Sequence, residues 1–95
     1  MAAYILVSVD VHDHANYPAY IAVAPDSIAK YGGRYLARGG KKEKLEGEWE
    51  PARVVVLEFP TFEQARAWWD SEEYAEPKAM RQRAARTNMI LVEGC

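Results

Sequence analysis

Four charged side chains fall where strand-like spacing would bring them onto one surface. In KYGGRYLARGG, Lys30 to Gly40, Arg34 and Arg38 lie two glycine pairs deep in a short segment with Tyr35, Leu36 and Ala37 between them. Side chains of an extended chain repeat every second residue, so positions 34, 36 and 38 point together. Paired guanidiniums suit a small organic anion, because each offers a rigid fork of donors that matches a carboxylate or phosphate. Asp10 in YILVSVDV and Glu58 in VVVLEFP are the candidate proton-transfer groups, and His12, two residues past Asp10, is a candidate general base. Tyr17 and Trp69 are candidate ligand contacts. Each reading has a plainer rival. The charges can serve as ion pairs that fix register between two copies, and His12 and His14, which flank Asp13, can be solvated loop residues or helix caps. Two histidines at that spacing are too few for a metal centre, and no metal or cofactor is expected. No serine, cysteine or lysine has an activating neighbour, and GGRYLARGG lacks the spacing of a phosphate-binding loop.

The elements that must position these groups can be read from periodicity. Tyr4 to Val11 alternates, with Ile5, Val7, Val9 and Val11 on one side and Tyr4, Leu6, Ser8 and Asp10 on the other, which predicts a strand. From Asp13 the step lengthens to three and four through Tyr17, Tyr20, Ile21, Ala24, Ile28 and Tyr31, which predicts a helix capped by Asp13 or Asn16. Pro25 removes an interior hydrogen bond, so a kink or restart is expected there. Gly32 or Gly33 closes that helix and Arg34 to Arg38 follows as a strand, ended or bulged at Gly39-Gly40. KKEKLEGEWEP reads as a loop or irregular hairpin, and Ala52 to Phe59 as the firmest strand. Thr61 and Gln64 form a capping box for a helix with Phe62, Ala65 and Trp69 on its apolar stripe. Ser71 caps a further helix, Glu72 to Ala85, and Asn88 to Glu93 is the last strand.

This order is the split β-α-β pattern of ferredoxin-like α+β folds. Right-handed crossovers are expected to set the first and third strands side by side and parallel, with the helices on one face. Asp10 and Glu58 would then lie close together. Burial of charge is costly, so Arg34, Leu36 and Arg38 are expected on the open face and Tyr35 and Ala37 under the helices.

Ninety-five residues make a single domain, residues 1–95, of a size that buries only ~60–70% of its unfolded surface and gains from association. A net charge of −2 without a basic run excludes the electrostatic footprint of a nucleic-acid binder. The only cysteine is Cys95, which leaves no internal disulfide and fits a cytoplasmic setting. YILVSVDV is too short to span a bilayer, and no membrane association is expected.

KYGGRYLARGG, the LEG at Leu45 to Gly47, RVVVLEFP followed by Thr61, SEEY at Ser71 to Tyr74 and VEG at Val92 to Gly94 together resemble domain-of-unknown-function family 1330 over nearly the whole chain. That family is a branch of the dimeric α/β-barrel superfamily. The resemblance implies a protomer whose open sheet face packs on a second copy, with a cavity between sheet and partner or between sheet and helices. The wider superfamily includes cofactor-independent monooxygenases, but a shared fold does not carry chemistry with it. Two readings follow. One is a homodimeric small-molecule enzyme or binding protein whose pocket holds Asp10, His12, Arg34, Arg38 and Glu58. The other is a non-catalytic homodimer whose charged face serves only assembly.

Overall fold

Nine residues, Ala3–Val11, form β1, one of two strands with neighbours on both sides; the computed structural model describes all 95 residues. Strand β1 is followed by α1 (Tyr17–Lys30), β2 (Arg34–Arg38), β3 (Arg53–Phe59), α2 (Phe62–Trp69), α3 (Glu72–Ala84) and β4 (Ala85–Glu93). The four strands lie in the order β2-β3-β1-β4. This is the expected ferredoxin-like βαββαβ arrangement.

One expectation about the sheet is corrected. Strands β1 and β3 are neighbours but antiparallel, with Ala3 opposite Phe59, Tyr4 opposite Glu58 and Val9 opposite Arg53. The crossover through α1 returns the chain parallel to β1 but one place further out, in β2. The connection after β2 reverses the chain, so β3 fills the gap running the other way. Asp10 and Glu58 therefore sit at opposite ends of the β1–β3 pair. Asp10 is six residues along from Tyr4, the residue facing Glu58, a separation of about 20 Å at strand rise. Asp10 faces Arg86 on β4 instead.

The core lies between this sheet and the helices. Ile5, Val7 and Val9 from β1 and Leu57 and Phe59 from β3 are buried against Tyr17, Ala24 and Ile28 of α1, Ala65 and Trp68 of α2 and Tyr74 of α3. The alternation in β1 is thus realised as read. In α2 the stripe falls on Ala65 and Trp68, while Phe62 is exposed and Trp69 half-buried, one position off the expected set. Trp68 donates its indole N–H to Ser27 Oγ at 3.1 Å, which satisfies the one polar atom of a side chain otherwise packed on Phe59 and Tyr74.

The helix ends follow local chemistry. Thr61 Oγ1 accepts the Gln64 N–H at 3.1 Å and Ser71 Oγ accepts the Tyr74 N–H at 3.1 Å, so both expected caps form. Asn16 is the N-cap of α1 without a side-chain cap bond; Asp13 instead accepts from the Asn16 amide nitrogen and side chain. Gly32, at φ +82°, takes the left-handed conformation that closes α1. Lys30 and the Tyr31 hydroxyl both donate to Glu73, tying the end of α1 to the first turn of α3. Helix α1 runs through Pro25 without the restart that was one of the two expected outcomes there.

Candidate functional site

A bulge in β2 decides where the two arginines go. Arg34 opposes Glu58 and Tyr35 opposes Leu57, but Ala37 opposes Val56 and Arg38 opposes Val55, so Leu36 is an extra residue. One extra residue reverses the facing of everything after it. Arg34 stays on the open face, where its Nε donates to Glu58 Oε1 at 2.7 Å. Arg38 turns with Val55 toward the helices, against the expectation that 34, 36 and 38 share a side. The irregularity falls at Leu36, before the glycine pair that was expected to carry it.

Arg38 is held by two contacts. Its guanidinium carbon lies 4.4 Å from the Tyr35 ring centroid, and Nη2 donates to the Ile21 carbonyl at 2.9 Å. That carbonyl would normally accept the N–H four residues later in the helix, but residue 25 is proline and has none. The hydrogen bond that α1 loses at Pro25 is replaced by a side chain from β2.

Two further arginines meet Arg38 under α1. Arg53 shares the helical face with Val55, Leu57 and Phe59 by strand alternation. Its Nε is buried and has no hydrogen-bond partner. Gly39 makes room for it: the backbone there has φ +68°, and a β-carbon would overlap Arg53 Nη1. Arg81 of α3 is only 2% exposed. Its Nε donates to the Tyr74 hydroxyl at 3.2 Å and its Nη1 to Thr87 Oγ1, while Nη2 has no protein acceptor. None of the three arginines makes an ion pair with a carboxylate.

Together they line a narrow cavity of about 30 Å³ between sheet and α1. The remaining wall is Tyr17, Tyr20, Tyr35, Trp68 and aliphatic side chains, with no aspartate, glutamate or histidine. Tyr20 and Tyr74 share a hydroxyl hydrogen bond of 3.0 Å. Burial, followed by the neighbouring Tyr74, pushes the Tyr20 phenol far above its ordinary value. Burial likewise raises Tyr35, against the opposing pull of Arg38. Both hydroxyls therefore stay protonated near neutral pH and can donate. The wall presents guanidinium and neutral phenol donors and no carboxylate or imidazole.

The sequence candidates are divided by this geometry. Tyr17 and Arg38 line the cavity. Trp69 lies outside it, under the Lys78 ammonium at 4.2 Å, and borders a separate groove of about 260 Å³ with Ile5, Ala65, Met89 and Leu91. Arg34 and Glu58 pair on the open face, Asp10 is exposed at the far end of that face, and His12 is an exposed loop residue whose backbone N–H bonds Ala84 O at 3.0 Å. Asp10, His12 and Glu58 are not brought together. Arg53, Arg81, Tyr20 and Tyr35 were absent from the candidate set. The parity of 53, 55, 57 and 59 in β3 carried a signal for Arg53, whereas Arg81 sits in a helix whose charges read as an ordinary solvated end.

A βαββαβ antiparallel sheet with three helices on one face and the other face bare is a ferredoxin-like fold. The chain belongs to the family described as domain of unknown function (DUF1330), which matches residues 2–95. Among solved structures, a protein of unknown function from Rhodopseudomonas palustris, RPA0582, is similar at 19% identity, with 99% of this chain and 82% of that one covered and a TM-score of 0.78. SnoaB from Streptomyces nogalater, a cofactor-independent oxygenase, is similar at 11% identity, covering 99% and 93% with a TM-score of 0.68. A conserved protein of unknown function from Bacteroides thetaiotaomicron is similar at 17% identity, covering 98% and 97% with a TM-score of 0.58. At these identities the likeness is one of fold. No curated protein matches the chain in sequence.

Proposed function

We propose that the protein binds a small organic anion in the cavity under α1, held by Arg38, Arg53 and Arg81. The observation that carries this reading is a buried guanidinium, Arg81, beside two more in a wall without a single carboxylate. A buried cation lacking a counter-ion costs several kcal/mol, and a ligand anion is the partner that would offset it. The orphaned Arg53 Nε points to the same missing acceptor. About 30 Å³ holds no more than a water or two, so the ligand must open the site. Arg38 is the movable element. It is exposed and held by one hydrogen bond and one stacking contact, which an incoming carboxylate can replace with a bidentate pair.

The cavity supports chemistry on negative charge that is already present or developing, such as a bound carboxylate or an enolate stabilised by guanidinium and phenol donors. The fold shared with SnoaB makes cofactor-independent catalysis a coherent extension of this reading. An acid–base role for Asp10, His12 and Glu58 would require a different site, because the antiparallel register holds Asp10 and Glu58 about 20 Å apart. The working unit in this proposal is a cytoplasmic homodimer joined through the open sheet face. Leu6, Leu36, Ile90 and Val92 are exposed on and around that face, more apolar surface than a monomer of this size usually leaves in water. The Arg34–Glu58 pair favours the assembly role for the charges on that side.

Titration calorimetry with benzoate, salicylate and acetate tests the pocket. Saturable binding of an aromatic carboxylate that is lost in Arg53→Gln supports the reading. Equal affinities in wild type and Arg53→Gln would place the anion elsewhere and refute it.

A further inference from the structure

The segment between β2 and β3 supplies no lining residue of the cavity and no core residue, yet it carries two of the three most exposed large apolar side chains. Leu45 is 91% exposed and Trp49 is 71% exposed, and residues 41–50 lie outside every helix and strand. Trp49 stands over the open sheet face, where a hollow of about 370 Å³ is bordered by Leu6, Val54, Val56 and Ile90. An indole left largely in water beside an unfilled apolar hollow is a surface awaiting cover.

The charge pattern identifies what covers it. Lys42 and Lys44 precede Leu45, and Glu46 and Glu48 follow it. Two copies of this segment related by a two-fold axis through Leu45 run antiparallel, and Lys44 then meets Glu46 while Lys42 meets Glu48, twice over. A two-fold contact requires this self-complementarity, because the same patch supplies both sides. An unrelated partner would not require it. Within its own chain Lys44 lies 3.6 Å from Glu50, an exposed contact that an acidic residue of the second copy can replace.

We propose that Lys41–Glu50 is a dimerisation arm, in which the arms of two copies lie antiparallel across Leu45 and each Trp49 is covered by the apolar open face of the pair. This rests on the homodimer reading above and adds to it the element that sets affinity and register.

Sedimentation equilibrium of the full chain tests both levels. The wild type is expected at about twice the chain mass at micromolar concentration. Trp49→Ala should weaken association about thirtyfold or more, the scale for losing an aromatic anchor. Lys42→Glu with Lys44→Glu should weaken it at least about tenfold, and adding Glu46→Lys with Glu48→Lys should restore it to within about threefold. Circular dichroism checks that these variants keep the fold, as a segment outside all regular structure predicts. A dimeric wild type whose affinity is unmoved by all of these variants would overturn the arm and leave the dimer standing. A failure of the fourfold reversal to restore what the twofold reversal lost would overturn the antiparallel pairing. A monomeric wild type would overturn both proposals.

Discussion

Replacing Arg81 with methionine separates binding from stability. The substitution removes two hydrogen bonds from a charged donor, Nε to Tyr74 and Nη1 to Thr87, each contributing about 1.5–3 kcal/mol. It also removes the desolvation cost of a guanidinium that is 2% exposed and faces no carboxylate, a cost of several kcal/mol. Methionine fills similar space with a flexible apolar chain, and the Tyr74 hydroxyl keeps its Tyr20 partner. The opposing contributions nearly cancel, so the ligand-free variant should lie within about 2 kcal/mol of wild type, on either side. The contrast appears when ligand is added. An anion at a hundred times its Kd raises wild-type stability by about 2.7 kcal/mol. For a domain of this size that corresponds to a Tm rise of about 10–20 °C. Arg81→Met should show almost none of that rise.

Thermal melts of both proteins, with and without a saturating aromatic carboxylate, read these quantities directly. Two results would refute the reasoning. If ligand-free Arg81→Met lost more than about 4 kcal/mol, Arg81 would be a structural cation whose hydrogen bonds outweigh its burial. If the variant kept the full ligand-induced shift, the uncompensated charge would have nothing to do with binding.

Other expectations follow from the same geometry. Arg38→Leu should cost about 1 kcal/mol or less in urea melts, because an exposed cation–π contact and one hydrogen bond are all it loses, while anion affinity should fall measurably in calorimetry. Gly39→Ala places a side chain at φ +68° and against Arg53; it should cost about 1–2 kcal/mol in stability and weaken anion binding as Arg53 is displaced. Glu73 is held at about 2 by hydrogen bonds from Lys30 and then Tyr31, below its ordinary 4.5, so its contribution to stability is present above about pH 4.5 and lost as pH falls toward 2. Glu73→Gln should flatten that acid limb in melts between pH 2 and 6.

What could be read from the chain was whatever a few neighbouring residues decide among themselves. Alternation in YILVSVDV set the buried face of β1, and Thr61 and Ser71 announced two helix starts whose caps form, although the Gln64 side chain bonds Thr61 Oγ1 and the Tyr31 carbonyl and not the Thr61 amide. Strand direction was a different kind of question. Residues of β3 are the same whether it runs with or against β1, and only the place α1 delivers β2 in the sheet decides it. The bulge at Leu36 has no residue signature of its own; the nearby glycine pair begins three positions later. The larger error was physical. The expense of burying charge favours Arg38 on the open face, and the expense of a lost helical bond favours a kink or restart at Pro25. In the folded chain each supplies the other's missing partner, Arg38 donating to the carbonyl that Pro25 leaves free. The same expense applies to Arg81, which donates two hydrogen bonds but meets no carboxylate, and to Arg53, whose Nε has no partner within the protein. Local rules fail together at this one cavity, and such a cluster of violations is what the proposed anion site requires.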